Sequence, residues 1–291
     1  MQTTLPGCYN SPLPAPRKSP MPLAILTLIA LVVIPFLFWR GTWFGRPLTD
    51  PEIDQYLNDD ARPRRIQHAL AQISQRLERL DPAVERWYPR IAALARHPVT
   101  ELRVTAAWLM GQDTRSPLFH QALPVMLADA DPIVRRNAAL SLARFADPAG
   151  RSELVAMLRP YALRAPRGGV LRYRLKAGEV VNPGTLLARL ELARLETGDQ
   201  QPFEIRSPLP GTFERQIAPE GARVSQDQEI LSLTPSQDHV WEALRALYLV
   251  GAPEDLAAVE RFTRPPADWD EKVGRQARLT AERLNTPSSR R

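Results

Sequence analysis

The chain has little of what most reactive sites are built from. Among its 291 residues there is one cysteine, Cys8. That excludes an intramolecular disulfide and any multi-cysteine metal site. Lysine is almost absent: Lys18, Lys176 and Lys272 are the whole set, and the other 35 of the 38 basic residues are arginine. The net charge of +6 is spread along the chain with acidic residues between, which reads as a solvated mixed-charge surface and not as a phosphate-binding face. The four histidines (His68, His97, His120 and His239) are scattered, and no pair has metal-ligand spacing on a helix. There is no glycine-rich phosphate loop and no nucleophile elbow. Asp59, Asp60, Asp129 and Asp131 read as turn and cap residues. No catalytic site, cofactor site, metal site or nucleic-acid partner is therefore expected.

Residues 1–20 are rich in proline and small polar residues and read as a disordered tail. Leu5-Pro6-Gly7-Cys8 has the look of a lipid-acceptor site, but the apolar run follows it and does not precede it. That run, Leu23 to Trp39, is free of charge and stands near the lower limit for crossing a hydrocarbon core of about 30 Å. A transmembrane anchor is expected over 21–40, kinked at Pro35, with Trp39, Arg40, Trp43 and Phe44 at the membrane interface. The sequence Arg40-Gly41-Thr42-Trp43-Phe44 offers no small-x-small cleavage site, so the anchor is expected to stay uncleaved. Charge asymmetry around the run does not decide its orientation; a short tail before a large remainder fits an N-inside signal anchor.

From 48 to 161 the pattern is helical. Ile66, Leu70, Ile73, Leu77 and Leu80 lie on one helical face. Asp81-Pro82 ends that helix and starts another, which Pro89 either kinks or splits. Arg103 to Gly111 then recurs as Arg135 to Ala143, displaced by 32 residues and carrying the alanine pairs Ala106-Ala107 and Ala138-Ala139. Helical patterns return over 237–285, interrupted by Pro265-Pro266, and 286–291 is a terminal tail.

Between the helical parts, 163–235 reads as short strands separated by Pro/Gly turns, and it is internally duplicated. Pro166 matches Pro208 and Gly169 matches Gly211, both 42 apart; after one extra residue Gly178 matches Gly221, Val181 matches Val224, Leu187 matches Ile230 and Leu190 matches Leu233. Leu186, Leu190, Phe203, Ile205, Phe213, Ile217, Val224, Ile230 and Leu233 are the expected core of a small sandwich or barrel.

Two resemblances follow from these residues. Asp131-Pro132-Ile133-Val134-Arg135-Arg136-Asn137-Ala138-Ala139 resembles the first helix of HEAT-type repeats, which stack pairwise into a solenoid. Gly178-Glu179-Val180-Val181, Gly184-Thr185-Leu186-Leu187, Ile205-Arg206-Ser207-Pro208-Leu209-Pro210-Gly211 and Glu220-Gly221 resemble the biotinyl/lipoyl-type barrel-sandwich hybrid, a fold also present in adaptor subunits of bacterial efflux and secretion systems. Carrier members of that family present a modifiable lysine on a hairpin; here Glu191-Leu192-Ala193-Arg194-Leu195-Glu196 puts Arg194 at that position, and a guanidinium does not form the amide link. The adaptor members carry a long helical hairpin between their half-motifs, and Leu192–Phe203 is too short for one.

The expected fold class is thus multidomain α+β: an N-terminal transmembrane helix, then an α-solenoid of HEAT-like repeats interrupted by a small all-β barrel-sandwich hybrid. The expected function is that of a membrane-anchored, non-enzymatic scaffold or adaptor, single-pass in a bacterial inner membrane with its remaining part periplasmic, binding a protein partner from a membrane or envelope complex. An accessory subunit of an envelope transport or secretion complex is the alternative, and a cofactor carrier is disfavoured by Arg194. The sequence does not show which face of the repeats binds.

Overall fold

A computed structural model describes residues 28–36, 47–191 and 202–286. The chain divides into two compact units, 1–49 and 50–291. In the first, helix α1 is described over 28–36. Nine residues at 1.5 Å rise span about 14 Å, half of a hydrocarbon core. Among the described residues no helix is long and apolar enough to cross a membrane. This overturns the expected single-pass anchor, and with it the inner-membrane placement and the transmembrane part of the fold class. The remainder of the run at 21–27 and 37–40, with Trp39 and Arg40 in it, lies outside the described residues, as do Trp43, Phe44 and the tail 1–20.

The second unit opens with helices α2 (Asp50–Leu57) and α3 (Pro63–Glu78). Pro89 splits the next segment: a 3₁₀ turn runs Pro82–Trp87, α4 is Tyr88–Ala93 with the proline in its first turn, and a second 3₁₀ turn is Leu94–Arg96. Then come α5 (Thr100–Met110), α6 (Pro117–Met126), α7 (Pro132–Arg144) and α8 (Arg151–Ala156). Helix starts are capped by side chains: Ser116, Asp131 and Asp147 each accept a backbone N–H from the first turn that follows. Two helix ends reverse direction without glycine. After α3, Leu80 adopts φ 58°, its N–H donating to Leu77 O and the Asp81 N–H to Arg76 O; after α7, Ala146 does the same with Ala143 O and Asp147 with Leu142 O.

Beyond the β unit the array resumes with α9 (Gln237–Val250), α10 (Leu256–Glu260) and α11 (Glu271–Asn285). Helices α3, α5, α7, α9 and α11 pack side by side in one layer, and α4, α6, α8 and α10 back them. The layer is continuous across the insertion: Ala139, Ala143, Leu154, Met157 and Leu158 share one buried core with Val240, Ala243, Leu244 and Leu247.

The β unit comprises β1 (Tyr161–Arg164), β2 (Gly169–Tyr173), β3 (Val180–Val181), β4 (Leu186–Glu191), β5 (Phe203–Arg206), β6 (Gly211–Gln216), β7 (Arg223–Val224) and β8 (Glu229–Pro235). They form two four-stranded sheets in the orders β1-β8-β6-β3 and β5-β4-β2-β7. Both sheets are open, with β1 and β3 as the edges of one and β5 and β7 as the edges of the other, so no closed barrel forms. Every pairing is antiparallel, and Leu163, Phe213, Ile230 and Leu233 from one sheet share a core with Leu171, Leu187, Leu190 and Val224 from the other.

The two sheets are copies of one another. Leu171 opposite Leu190 becomes Phe213 opposite Leu233, and Val170 opposite Arg223 corresponds to Thr212 opposite Val180. Each sheet borrows strands from the other half of the duplication, β1 and β3 going to the second copy's sheet and β5 and β7 to the first's. Neither copy is complete without the other. Strand β1 lies partly inside the stretch read as helical from sequence; Tyr161-Ala162-Leu163-Arg164 is the 42-residue counterpart of Phe203-Glu204-Ile205-Arg206. The turn glycines Gly178 (φ 95°) and Gly221 (φ 76°) correspond, and at the next corresponding pair Gly184 (φ 85°) is matched by Asp227 (φ 63°), a residue type that tolerates this conformation.

Candidate functional site: a groove on the helical array

The layer α5–α7–α9–α11 packs closely because small residues line its seams. At the α5–α7 seam the Ser141 hydroxyl donates to Ala107 O at 2.7 Å, and Arg144 Nη1 reaches Gly111 O at 3.3 Å. The α9–α11 seam repeats the device: Thr280 Oγ1 donates to Leu244 O at 2.9 Å and Arg283 Nη1 reaches Leu247 O at 3.3 Å. A hydroxyl residue followed three positions later by arginine thus bolts one helix to the carbonyls of its neighbour in both places. Among the described residues, no side-chain-to-carbonyl bond joins α9 to α7; alanines and aliphatic residues fill that seam, with one side-chain contact, Arg136 to His239, across it.

A half-open groove of about 350 Å³ lies over this seam. Its floor is small and buried, with Ser141, Ala143 and Ala246 at the base. Its rim is large and apolar: Trp108 from α5, Tyr248 and Leu249 from α9, and Leu279 from α11 are 42–52% exposed. Buried alanines beside exposed large side chains are what make a concave surface here. The polar lining consists of Asn137, Arg144, Glu242, Arg245 and Gln276. Burial pushes the Glu242 carboxyl above its ordinary value, against the pull of the Arg144 and Arg245 charges.

Outside the groove the ionisable groups serve packing. Asp113, buried, accepts the Tyr88 hydroxyl at 2.7 Å and three bonds from Arg115, two from its guanidinium and one from its backbone N–H; the guanidinium foremost draws its pKa down to about 2. Asp129 takes a two-pronged contact from Arg103, and Arg135 reaches both Asp129 O and Glu153. His120 Nε2 lies 2.7 Å from Asp147 Oδ2, with its ring stacked on Phe145. Among the described residues no group of three or more His, Cys, Asp or Glu side chains is placed to hold a metal ion.

One polar cluster had no signal in the sequence. Arg136 on α7 is 4% exposed, and its Nη1 lies 3.1 Å from His239 Nδ1 on α9. Arginine has only donors, so Nδ1 accepts and the imidazole is neutral with its proton on Nε2. Burial foremost, then the Arg136 charge, pushes the His239 pKa down to about 4. Glu153 Oε1 stands 3.7 Å from Arg136 Nε, beyond hydrogen-bond range, so that buried N–H goes without a partner. The residues are 103 positions apart, on opposite sides of the β insertion, and no local pattern links them.

Trp39, Arg40, Trp43 and Phe44, and also Arg194 on the expected hairpin, lie outside the described residues.

No family model matches the chain, and no curated protein matches it. Among solved structures, one titled "Structure and function of a single-chain, multi-domain long-chain acyl-coa carboxylase" is similar at 23% identity, with a TM-score of 0.23. The match covers 35% of this chain and 10% of that one, and a likeness this slight carries no argument.

Proposed function

We propose that the protein is a non-enzymatic scaffold or adaptor that binds a protein partner in the groove of its helical array, with the β unit as a second contact surface. One observation carries this reading: Trp108, Tyr248, Leu249 and Leu279, from three helices of one layer, stand exposed around a single groove. Large apolar side chains grouped on a rim mark a surface made to be covered, whereas single exposed ones do not. The stacked helix pairs, like the HEAT-type repeats their sequence resembles, present an extended face for such a contact. No cofactor is part of this function, and the mechanism is binding without turnover.

The test places a photo-crosslinking amino acid at Tyr248 in living cells, with the same probe at exposed Arg64 on α3 as the control. A discrete adduct with another protein is expected from Tyr248 only, and Leu279→Asp on the neighbouring helix α11 is expected to abolish it. Equal adducts at both positions, or none at Tyr248, overturn the reading.

A further inference from the structure

Resting on that reading of the groove, we infer that its occupant is an acidic amphipathic helix of the partner protein. Three observations converge on this chemistry.

The first is charge. Arg144 and Arg245 line the groove, and neither has a described carboxylate within 4.0 Å. Arg103, Arg135 and Arg151 are paired with carboxylates, and Arg278 and Arg283 bond backbone carbonyls; what marks Arg144 and Arg245 is that both line one apolar groove. The lining holds one carboxylate of its own, Glu242, whose charged form burial disfavours. The groove is therefore electropositive, with two guanidinium groups whose ion-pairing capacity is unspent. A partner with carboxylates satisfies it, and one with lysines is repelled.

The second is the state of the neutral polar groups. Asn137 Nδ2 donates to Val104 O, Ser141 to Ala107 O and Gln276 Nε2 to Thr280 Oγ1. The lining holds two side-chain amides, each with one donor engaged, too few to serve an extended backbone, which needs partners for its own N–H and C=O groups all along its length. A helix arrives with those groups already bonded and presents only side chains, which an apolar rim and two cations suit.

The third is extent. The rim residues come from α5, α9 and α11, so a ligand confined to the floor leaves most of them in water. At 8–10 Å between neighbouring helices, the four-helix layer is roughly 24–30 Å across. A helix of about 18 residues, at 1.5 Å each, covers that distance and buries the rim along one face.

The probe is a fluorescein-labelled synthetic amphipathic helix of about 18 residues, with leucine on one face and glutamates flanking that face on both sides, titrated into the purified full-length chain with anisotropy as the readout. Saturable binding is expected. The same peptide with lysine for glutamate should bind at least about tenfold more weakly, the size of one well-formed ion pair. Arg245→Glu, whose side chain contacts the Trp241 ring and no carboxylate, is expected to remove the preference without affecting the fold, and Arg144→Glu/Arg245→Glu to invert it. A proline-interrupted glutamate peptide should not bind. Equal or tighter binding of the lysine peptide, equal binding of the interrupted peptide, or no saturable binding of any of them overturns the inference. If the Tyr248 crosslink persists in that event, the docking surface stands and its assigned occupant falls; if the crosslink is also absent, both fall.

Discussion

Acid should destabilise this protein through the Arg136–His239 contact, starting below about pH 6.5. His239 is neutral in the folded chain because its Nδ1 faces the buried Arg136 guanidinium at 3.1 Å; a proton there would place two cations in contact. The facing groups are Glu153 and Arg135, which approach Arg136, and Asp238 beside the ring, whose charge works weakly the other way. In the unfolded chain the imidazole ionises at its ordinary value of 6.5, against about 4 when folded. The unfolded state therefore takes up a proton first as pH falls. The contribution of this residue is intact above about pH 6.5, is lost progressively below it, and is fully lost near pH 4. At about 1.36 kcal/mol per pH unit between the two values, the complete loss is about 3 kcal/mol, and by pH 4.5 about 2.5 kcal/mol of it has gone. Against a typical domain stability of about 5–15 kcal/mol, that is a large share.

The assay is urea unfolding followed by far-ultraviolet circular dichroism at pH 7 and at pH 4.5, on the full chain and on His239→Gln. Glutamine keeps an acceptor for Arg136 and cannot ionise. Asp113, Asp129 and Asp147 have lowered pKa values and act at lower pH; His68, lowered by burial, adds acid sensitivity in the same window, and Glu242, raised by burial, offsets some of it. All of these are common to both proteins and cancel in the comparison. The variant is expected to lose about 2–3 kcal/mol less than the parent between the two pH values. Identical losses would refute the assignment of a neutral, buried imidazole.

Three further outcomes are expected. Gly211→Ala places a Cβ 2.3 Å from Thr234 O, a backbone atom that cannot swing away, and should cost about 2–4 kcal/mol in urea unfolding; Gly169→Ala, its counterpart with 3.0 Å to Glu191 O, should cost less, and the reverse order would contradict the packing described. Leu80→Gly relieves a left-handed backbone at a residue 80% exposed, and the balance of strain relief against glycine's chain entropy predicts a gain of about 0.5–1 kcal/mol, read as a higher urea midpoint. Replacing 161–235 by a short Gly/Ser linker should leave a helical protein that unfolds cooperatively, because the core joining α7 and α8 to α9 does not pass through the β unit; loss of a cooperative transition would show otherwise.

How much of this was legible in the sequence depended on whether the signal was local. Period and offset are local, and the 42–43-residue offsets reappear in the strand registers of both sheets. Strand β1 lies upstream of the first matched pair, Pro166 with Pro208, and carries the duplication only as an alternation, Tyr-Ala-Leu-Arg against Phe-Glu-Ile-Arg, with no proline or glycine to mark it. The open sheets were not readable, since strands of two or four residues at the edges leave the same alternation whether or not a barrel closes. The membrane anchor was read from hydropathy, which reports how apolar a run is and not which helices form; among the described residues no helix is long and apolar enough to cross a membrane.

The groove was illegible because its parts look alike in sequence and differ only in what stands opposite. Trp108, Leu249 and Leu279 lie off the core faces of their helices, where each reads as a single exposed apolar residue, and no local pattern says that they stand together with Tyr248. They are exposed because the seams beneath them are filled by alanine and serine, which bring the helices close and leave no room for large side chains. The hydroxyl–arginine device makes the same point from the other side. Ser141 with Arg144, and Thr280 with Arg283, are ordinary polar residues on their own helices, and only the neighbouring helix's carbonyls give them a shared role. The α7–α9 seam lacks that device and is also where the chain leaves to form the β unit and returns, with Tyr161 and Leu233 paired across neighbouring strands at the insertion. An insertion whose two ends lie side by side lets the layer close beneath it. The groove and the Arg136–His239 contact thus both arise at one seam, from segments that the duplication holds apart in sequence and its strand pairing brings together in space.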